Sequence, residues 1–203
     1  MPDNAGPTQD FPIPHRCGVG YRKENIWTKL KRLLGVDPSR GKFNDDPSCK
    51  WFHPVTWKLG PLTSELEPEF IQQAIADALL SWSEVCNFKP DALPSTGRTD
   101  LTFGFYTSSE RQILRGNWAY AYFPCDKKKG QVYFNKGQTW TPRLFELYAL
   151  HEVGHIIGLQ DDTNDFEDVM QTTPDQASLQ FSDTDITRAS NLYKRGRDDD
   201  ATV

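Results

Sequence analysis

His151-Glu152-Val153-Gly154-His155-Ile156-Ile157-Gly158-Leu159-Gln160-Asp161 reads HExxHxxGxxD. Two histidines four residues apart on a helix lie on one face, so both imidazoles can reach a single metal ion. Glu152 is placed as the base that takes a proton from metal-bound water. Asp161 could not join them on a continuing helix, because at roughly 1.5 Å per residue it would sit about 15 Å along the axis from His151. Gly158 removes that obstacle: glycine accepts the left-handed conformation that ends a helix and turns the chain back. The expected zinc ligands are therefore His151, His155 and Asp161, with Asp162 a less well spaced neighbour. A bare HExxH arises by chance in helices rich in His and Glu. The glycine and the acid at fixed offsets make this pattern specific, and it holds two of the chain's four histidines.

The surrounding residues predict the elements that carry the motif. Thr141-Pro142 is an N-cap followed by proline at the first helical position. Leu144, Leu147, Tyr148 and His151 then repeat at helical spacing, and Leu150, Val153 and Ile157 extend the apolar face. A helix this apolar is buried, which puts the metal at the floor of a cleft. Upstream, Val55 to Leu59 reads as a strand. Glu69 to Val85 reads as a helix whose core face is Phe70, Ile71, Ala74, Ile75, Ala78, Leu79, Trp82 and Val85. Leu101, Phe103 and Phe105 alternate as a half-buried strand. Trp118 to Phe123 and Gln131 to Phe134 form two more strands around a turn at 125–130. Asp161 to Ser182 reads mostly as loop. Ser182-Asp183-Thr184-Asp185 is a capping box opening a last helix with Ile186, Ala189 and Tyr193 inward.

The 203 residues are enough for one domain with a real core. The expected divisions are a lead segment over 1–50 (with a short amphipathic helix at Glu24 to Leu34), a main domain over 51–195, and a charged tail over 196–203. Net charge is -5, with no basic stripe, which argues against a nucleic-acid partner. Lys127-Lys128-Lys129 reads as a solvated turn before Gly130. No apolar run approaches membrane-spanning length, so no membrane partner is expected. Met1 to Asp10 is polar and does not read as a signal peptide. The four cysteines, Cys17, Cys49, Cys86 and Cys125, permit two disulfides in three connectivities, and none of their spacings forms a metal knuckle.

From about Trp51 to Lys194 the chain resembles the metzincin zinc peptidases and, within them, the matrixins, the matrix metalloproteinase family. The residues that carry the resemblance are the helix with Trp82 and Val85, Thr99-Asp100-Leu101-Thr102-Phe103, Ala119-Tyr120-Ala121, Gly130-Gln131-Val132-Tyr133-Phe134, the HExxHxxGxxD helix, and Ser182-Asp183-Thr184-Asp185-Ile186. The resemblance implies an α+β fold: a twisted, mostly parallel sheet with an antiparallel edge strand, packed on long helices and followed by a C-terminal helix. It implies a monomeric, extracellular zinc endopeptidase acting on protein or peptide substrates, which would lie along Ala119, Tyr120 and Ala121 as an added strand. Met170 fits the methionine turn that supports the zinc ligands from below, an apolar base and not a ligand.

Several positions depart from the family pattern. Matrixins use His as the third ligand where this chain has Asp161; Asp stands there in some other metzincin-like peptidases, including the snapalysin type. The positions matching the family's structural zinc and calcium ligands are Tyr120, Tyr133, Asn135 and Gln138, poor metal ligands. One catalytic zinc is therefore expected, with aromatic packing or a disulfide replacing the structural metals; Cys86 and Cys125 are candidates. Gln171-Thr172-Thr173-Pro174 does not reproduce the family's usual pocket wall. Pro14-His15-Arg16-Cys17-Gly18-Val19 resembles the cysteine-switch motif, in which a propeptide thiolate fills the open zinc position. The competing reading pairs Cys17 with Cys49. Against the peptidase stands a second class, a zinc-binding but non-catalytic or permanently inhibited interaction module; an intact Glu152 weighs against it.

Overall fold

The computed structural model describes residues 45–161 and 168–194. The lead segment up to residue 44 with its short helix, Cys17, Asp162 and the tail lie outside these residues. The elements in chain order are β1 (Trp57–Leu59), α1 (Pro68–Val85), β2 (Leu101–Tyr106), β3 (Ala119–Ala121), β4 (Gln131–Asn135), α2 (Pro142–Ile157) and α3 (Asp183–Leu192), with short 3-10 turns at Gln112–Leu114 and Pro174–Gln176. The sheet order is β1-β2-β4-β3. β1–β2 and β2–β4 pair in parallel, whereas β3 runs antiparallel to β4 at the edge. Parallel neighbours need a long crossover, and α1 supplies it between β1 and β2. This is the mostly parallel α+β arrangement with an antiparallel edge strand.

Each helix begins where its sequence says it should. Pro68 occupies the first turn of α1, and Thr141 caps α2 by accepting a hydrogen bond from Leu144 N. Ile71, Ala74, Ile75, Ala78, Leu79 and Trp82 of α1 are buried, with Phe70 and Val85 at the margin of the core. In α2 every residue from Leu147 to Ile157 is buried. The two helices pack together, and Trp82 Nε1 donates to Leu150 O at 2.8 Å. Phe105 and Phe134 on the sheet meet Trp140 and Phe145 at ring-centroid distances of 5.0 to 5.8 Å, fixing α2 against the strands.

Four expectations need correction. First, the strand expected over Trp118 to Phe123 is shorter, because Phe123 N turns to Asp126 Oδ2 (2.9 Å) and starts the β3–β4 turn. Second, Val55 makes only an isolated bridge to Pro90, so β1 starts at Trp57. Third, Ile186 is 38% exposed. Ala189 and Tyr193 are buried as expected, but Asp185, Arg188 and Leu192 complete the inward face in place of Ile186, because two polar side chains point inward.

Fourth, neither proposed cysteine pairing occurs: the disulfide is Cys49–Cys125, with Cα atoms 5.0 Å apart. Cys86 is free and turned back onto Trp82 O at the end of α1. A link closing 76 residues of chain contributes about 4 kcal/mol by loop-closure entropy. Beside it, Tyr120 and Tyr133 face each other across β3 and β4 and form a small cluster with Leu114, Tyr106 and Tyr122. The Arg111 guanidinium lies 4.4 Å from the Tyr106 ring centroid and 5.0 Å from that of Tyr133. Asn135 Nδ2 donates to Leu114 O and Asn117 O, while its Oδ1 accepts from Gly137 N. These positions therefore carry aromatic and hydrogen-bonded packing.

Candidate metal centre

α2 brings His151 and His155 to one point, with their Nε2 atoms 3.0 Å apart. The helix ends in a Schellman motif: Gly158 N donates to His155 O, Leu159 N donates to Gly154 O, and Gly158 has φ 110°. The reversed chain brings Asp161 Oδ1 to 3.3 Å from each Nε2. Among the described residues this is the one group of three side chains able to share an ion.

The hydrogen bonds on the far side of each ring set its tautomer. His151 Nδ1 lies 2.8 Å from Val169 O and His155 Nδ1 lies 2.7 Å from Leu159 O. A carbonyl only accepts, so both Nδ1 atoms carry protons and both Nε2 atoms are left to face the shared point. Two Nε2 atoms and a carboxylate oxygen converge there, an arrangement that a cation stabilises. Tetrahedral ligands about 2.0–2.1 Å from zinc stand about 3.3 Å from one another, close to the separations found here. The residues fit zinc. Burial pushes the Asp161 carboxyl up, but where the imidazoles carry a second proton on Nε2 their hydrogen bonds and charge outweigh this and hold it well below the usual carboxylate range.

The support beneath the histidines is continuous. Val169, whose carbonyl holds His151, donates its N–H to Asp185 Oδ2 at 2.9 Å, and Met170 N lies 3.4 Å from Asp185 Oδ1. Asp185 is also the third residue of the Ser182 capping box. One buried carboxylate thus starts α3 and fixes the turn under His151. Met170 is fully buried. A Cβ on Gly154 would overlap Met170 Sδ and reach 3.0 Å from Trp82 Cζ2. We expect Gly154→Ala to destabilise the fold by about 1–3 kcal/mol through overpacking; thermal unfolding tests this, and an unchanged midpoint would contradict it.

Glu152 is fully buried on α2 between the histidines. β3 is the terminal strand among the described residues, and Phe123 beyond it sets its ring edge-on to His155, with centroids 5.5 Å apart. A cleft of ≈ 410 Å³ lies between this strand and the ligand loop, lined by Tyr120, Tyr122, Phe123, Gly158, Gln160 and the Cys49–Cys125 bridge. His151, His155 and Asp161 stand together beside this cleft without lining it, Glu152 follows His151 on α2, Met170 packs against Gly154 of the same helix, and β3 packs against α2. Sequence reading missed Phe123, the Val169 and Leu159 carbonyls, and the second role of Asp185. Backbone carbonyls leave no trace in a sequence, and Asp185 was visible only as a cap.

A family model described as Matrixin matches residues 50–194. The chain belongs to the matrixin family, whose members are zinc metalloendopeptidases. It is 28% identical to human (Homo sapiens) matrix metalloproteinase-26 over 159 residues, covering 71% of this chain and 60% of that protein. It is 31% identical to stromelysin-3 of Mus musculus over 176 residues (80% and 32%), and 29% identical to stromelysin-2 of Rattus norvegicus over 188 residues (85% and 39%). The chain spans less than two thirds of the length of these relatives.

Proposed function

We propose that this chain hydrolyses internal peptide bonds of proteins at a single zinc centre held by His151, His155 and Asp161, with residues 51–195 as the catalytic domain. The convergence of the three ligand atoms carries the reading. A zinc ion held by these residues would supply Lewis acidity for the scissile carbonyl and would lower the pKa of a bound water toward neutrality. Glu152 takes the proton of that water as its oxygen adds to the carbonyl carbon, and returns it to the leaving nitrogen as the C–N bond breaks. The Nδ1 bonds to Val169 and Leu159 hold both imidazoles in place. The edge of β3 that no other described strand covers pairs with an extended substrate, and Ala119 to Ala121 supply the backbone groups. Hydrolysis of casein is the test. It should stop on chelation and return on adding zinc; cleavage that survives exhaustive chelation would refute the reading.

Extracellular action accords with family membership and with the disulfide, since such bonds persist in oxidising compartments. No helix among the described residues is long and apolar enough to cross a membrane.

Cys17 is the proposed latch on this centre. Cys49, its alternative partner, is bonded to Cys125. Burial pushes the Cys86 thiol up to about 11, so little of it is thiolate near neutral pH and it reacts slowly. Thiol modification of the full chain should therefore act through Cys17 and raise casein hydrolysis. Equal activity before and after modification would remove the latch, and a gain that persists in Cys17→Ser would assign it elsewhere.

A further inference from the structure

Residues 45–51 form a strap across the C-terminal end of α2. The last carbonyls of a helix have no partner within it, and here the strap region supplies them. Trp51 Nε1 donates to Ile156 O at 2.9 Å. Tyr193 Oη donates to Ile157 O at 3.1 Å and accepts from Trp51 N at 3.3 Å. Cys49 O lies against Gly158, where a Cβ would overlap it, and the Cys49–Cys125 bridge ties the strap to the β3–β4 turn. The strap then reaches the third-ligand loop itself. Asp45 Oδ1 accepts from Gln160 N at 3.0 Å. Arg188 on α3 donates to both Asp45 oxygens at 2.9 Å and to Gln160 O at 2.7 Å. Both backbone groups of the residue preceding Asp161 are thereby held by one ion pair, whose side chains are 5% and 13% exposed.

We propose that Asp45 and Arg188 are positioning residues that clamp Gln160 and so hold Asp161 in place as the third metal ligand. The two histidines need no such help, because α2 and the Val169 and Leu159 carbonyls fix them. Asp161 follows a reversal at a glycine and lies outside any helix or strand, so its approach depends on what grips the loop. An exposed carboxylate pairing alone would do little. Here the pair is largely buried and bidentate, and it is bonded to the backbone next to the ligand.

This inference rests on the zinc reading, and its test separates the two. Zinc affinity is measured on the full chain by competition with a chromophoric chelator, for wild type, Asp45→Asn, Arg188→Lys, and the two variants combined. Visible spectra of the Co2+-substituted proteins report ligand geometry. Asp45→Asn and Arg188→Lys keep side-chain size and one hydrogen bond each, so the fold persists while the ion-paired fork is lost; thermal unfolding of the metal-free proteins checks this. We expect each single variant to bind zinc about 10-fold or more weakly, with an altered cobalt spectrum. The double variant should be no weaker than the worse single one, because both act through the same clamp. Wild-type affinity and spectrum in both variants, even with a lowered unfolding temperature, would overturn the clamp and leave the zinc centre intact. Wild-type protein that binds no zinc would remove both.

Discussion

Glu152→Gln should bind zinc as wild type does and lose about a hundred- to ten-thousand-fold in kcat/KM, the range for removing a positioned general base. That corresponds to about 3–5 kcal/mol of transition-state stabilisation. Glutamine is the informative substitution. Glu152 is fully buried on α2, so alanine would leave a cavity in the helix that carries both histidines, and lost activity could then reflect lost geometry. Glutamine keeps the volume and removes the basicity. The prediction is checked by metal content and peptide hydrolysis on the same preparation. Turnover at the wild-type rate would show that another group moves the proton. Loss of zinc together with turnover would instead give Glu152 a structural role.

Asp161→Ala should release the metal. It removes one of three ligand atoms and leaves the two Nε2 atoms, 3.0 Å apart, with no anionic partner at 3.3 Å. Zinc affinity should fall by about a hundredfold or more, at or beyond the upper end of the loss seen when a residue behind a ligand is changed. Asp161→Asn should fall between alanine and wild type, since it keeps an oxygen but loses the charge. The fold should survive, because Asp161 is 22% exposed and α2 is held by Trp51, Trp82 and Tyr193 independently of it. Competition with a chelator measures the affinities. An alanine variant that holds zinc as tightly as wild type would mean that Asp161 is not a ligand.

The metal helix was legible almost to its last residue because every constraint on it is local. Thr141-Pro142 starts it, a 3.6-residue apolar repeat buries it, and Gly158 ends it. The sheet was legible in its members but less so in its ends, since where a strand stops depends on partners distant in sequence. Asp126 capturing Phe123 N shortens β3, and no periodicity announces that bond. On α3, Ala189 and Tyr193 are buried as the pattern predicts, but Ile186 is not, for a related reason. Ile186 is the apolar choice at that position, yet Asp185 and Arg188 turn inward to the methionine turn and to Asp45. A hydrophobic pattern cannot rank a buried charge above an isoleucine when the partner is far along the chain. The same limit hid the disulfide, because Cys49 and Cys125 are 76 residues apart and only folding brings them together. The site's chemistry was readable because its ligands fall within one short stretch. The groups that hold those ligands come from elsewhere: Val169, Asp185, Asp45 and Arg188.

Zinc per chain, determined on dialysed wild type, Glu152→Gln and Asp161→Ala beside casein hydrolysis with and without chelator, tests the central claim most directly. The expected pattern is one zinc and chelator-sensitive cleavage in wild type, one zinc without cleavage in Glu152→Gln, and neither in Asp161→Ala. A zinc-free wild-type chain that still cleaves casein, or cleavage undiminished in either variant, would contradict it.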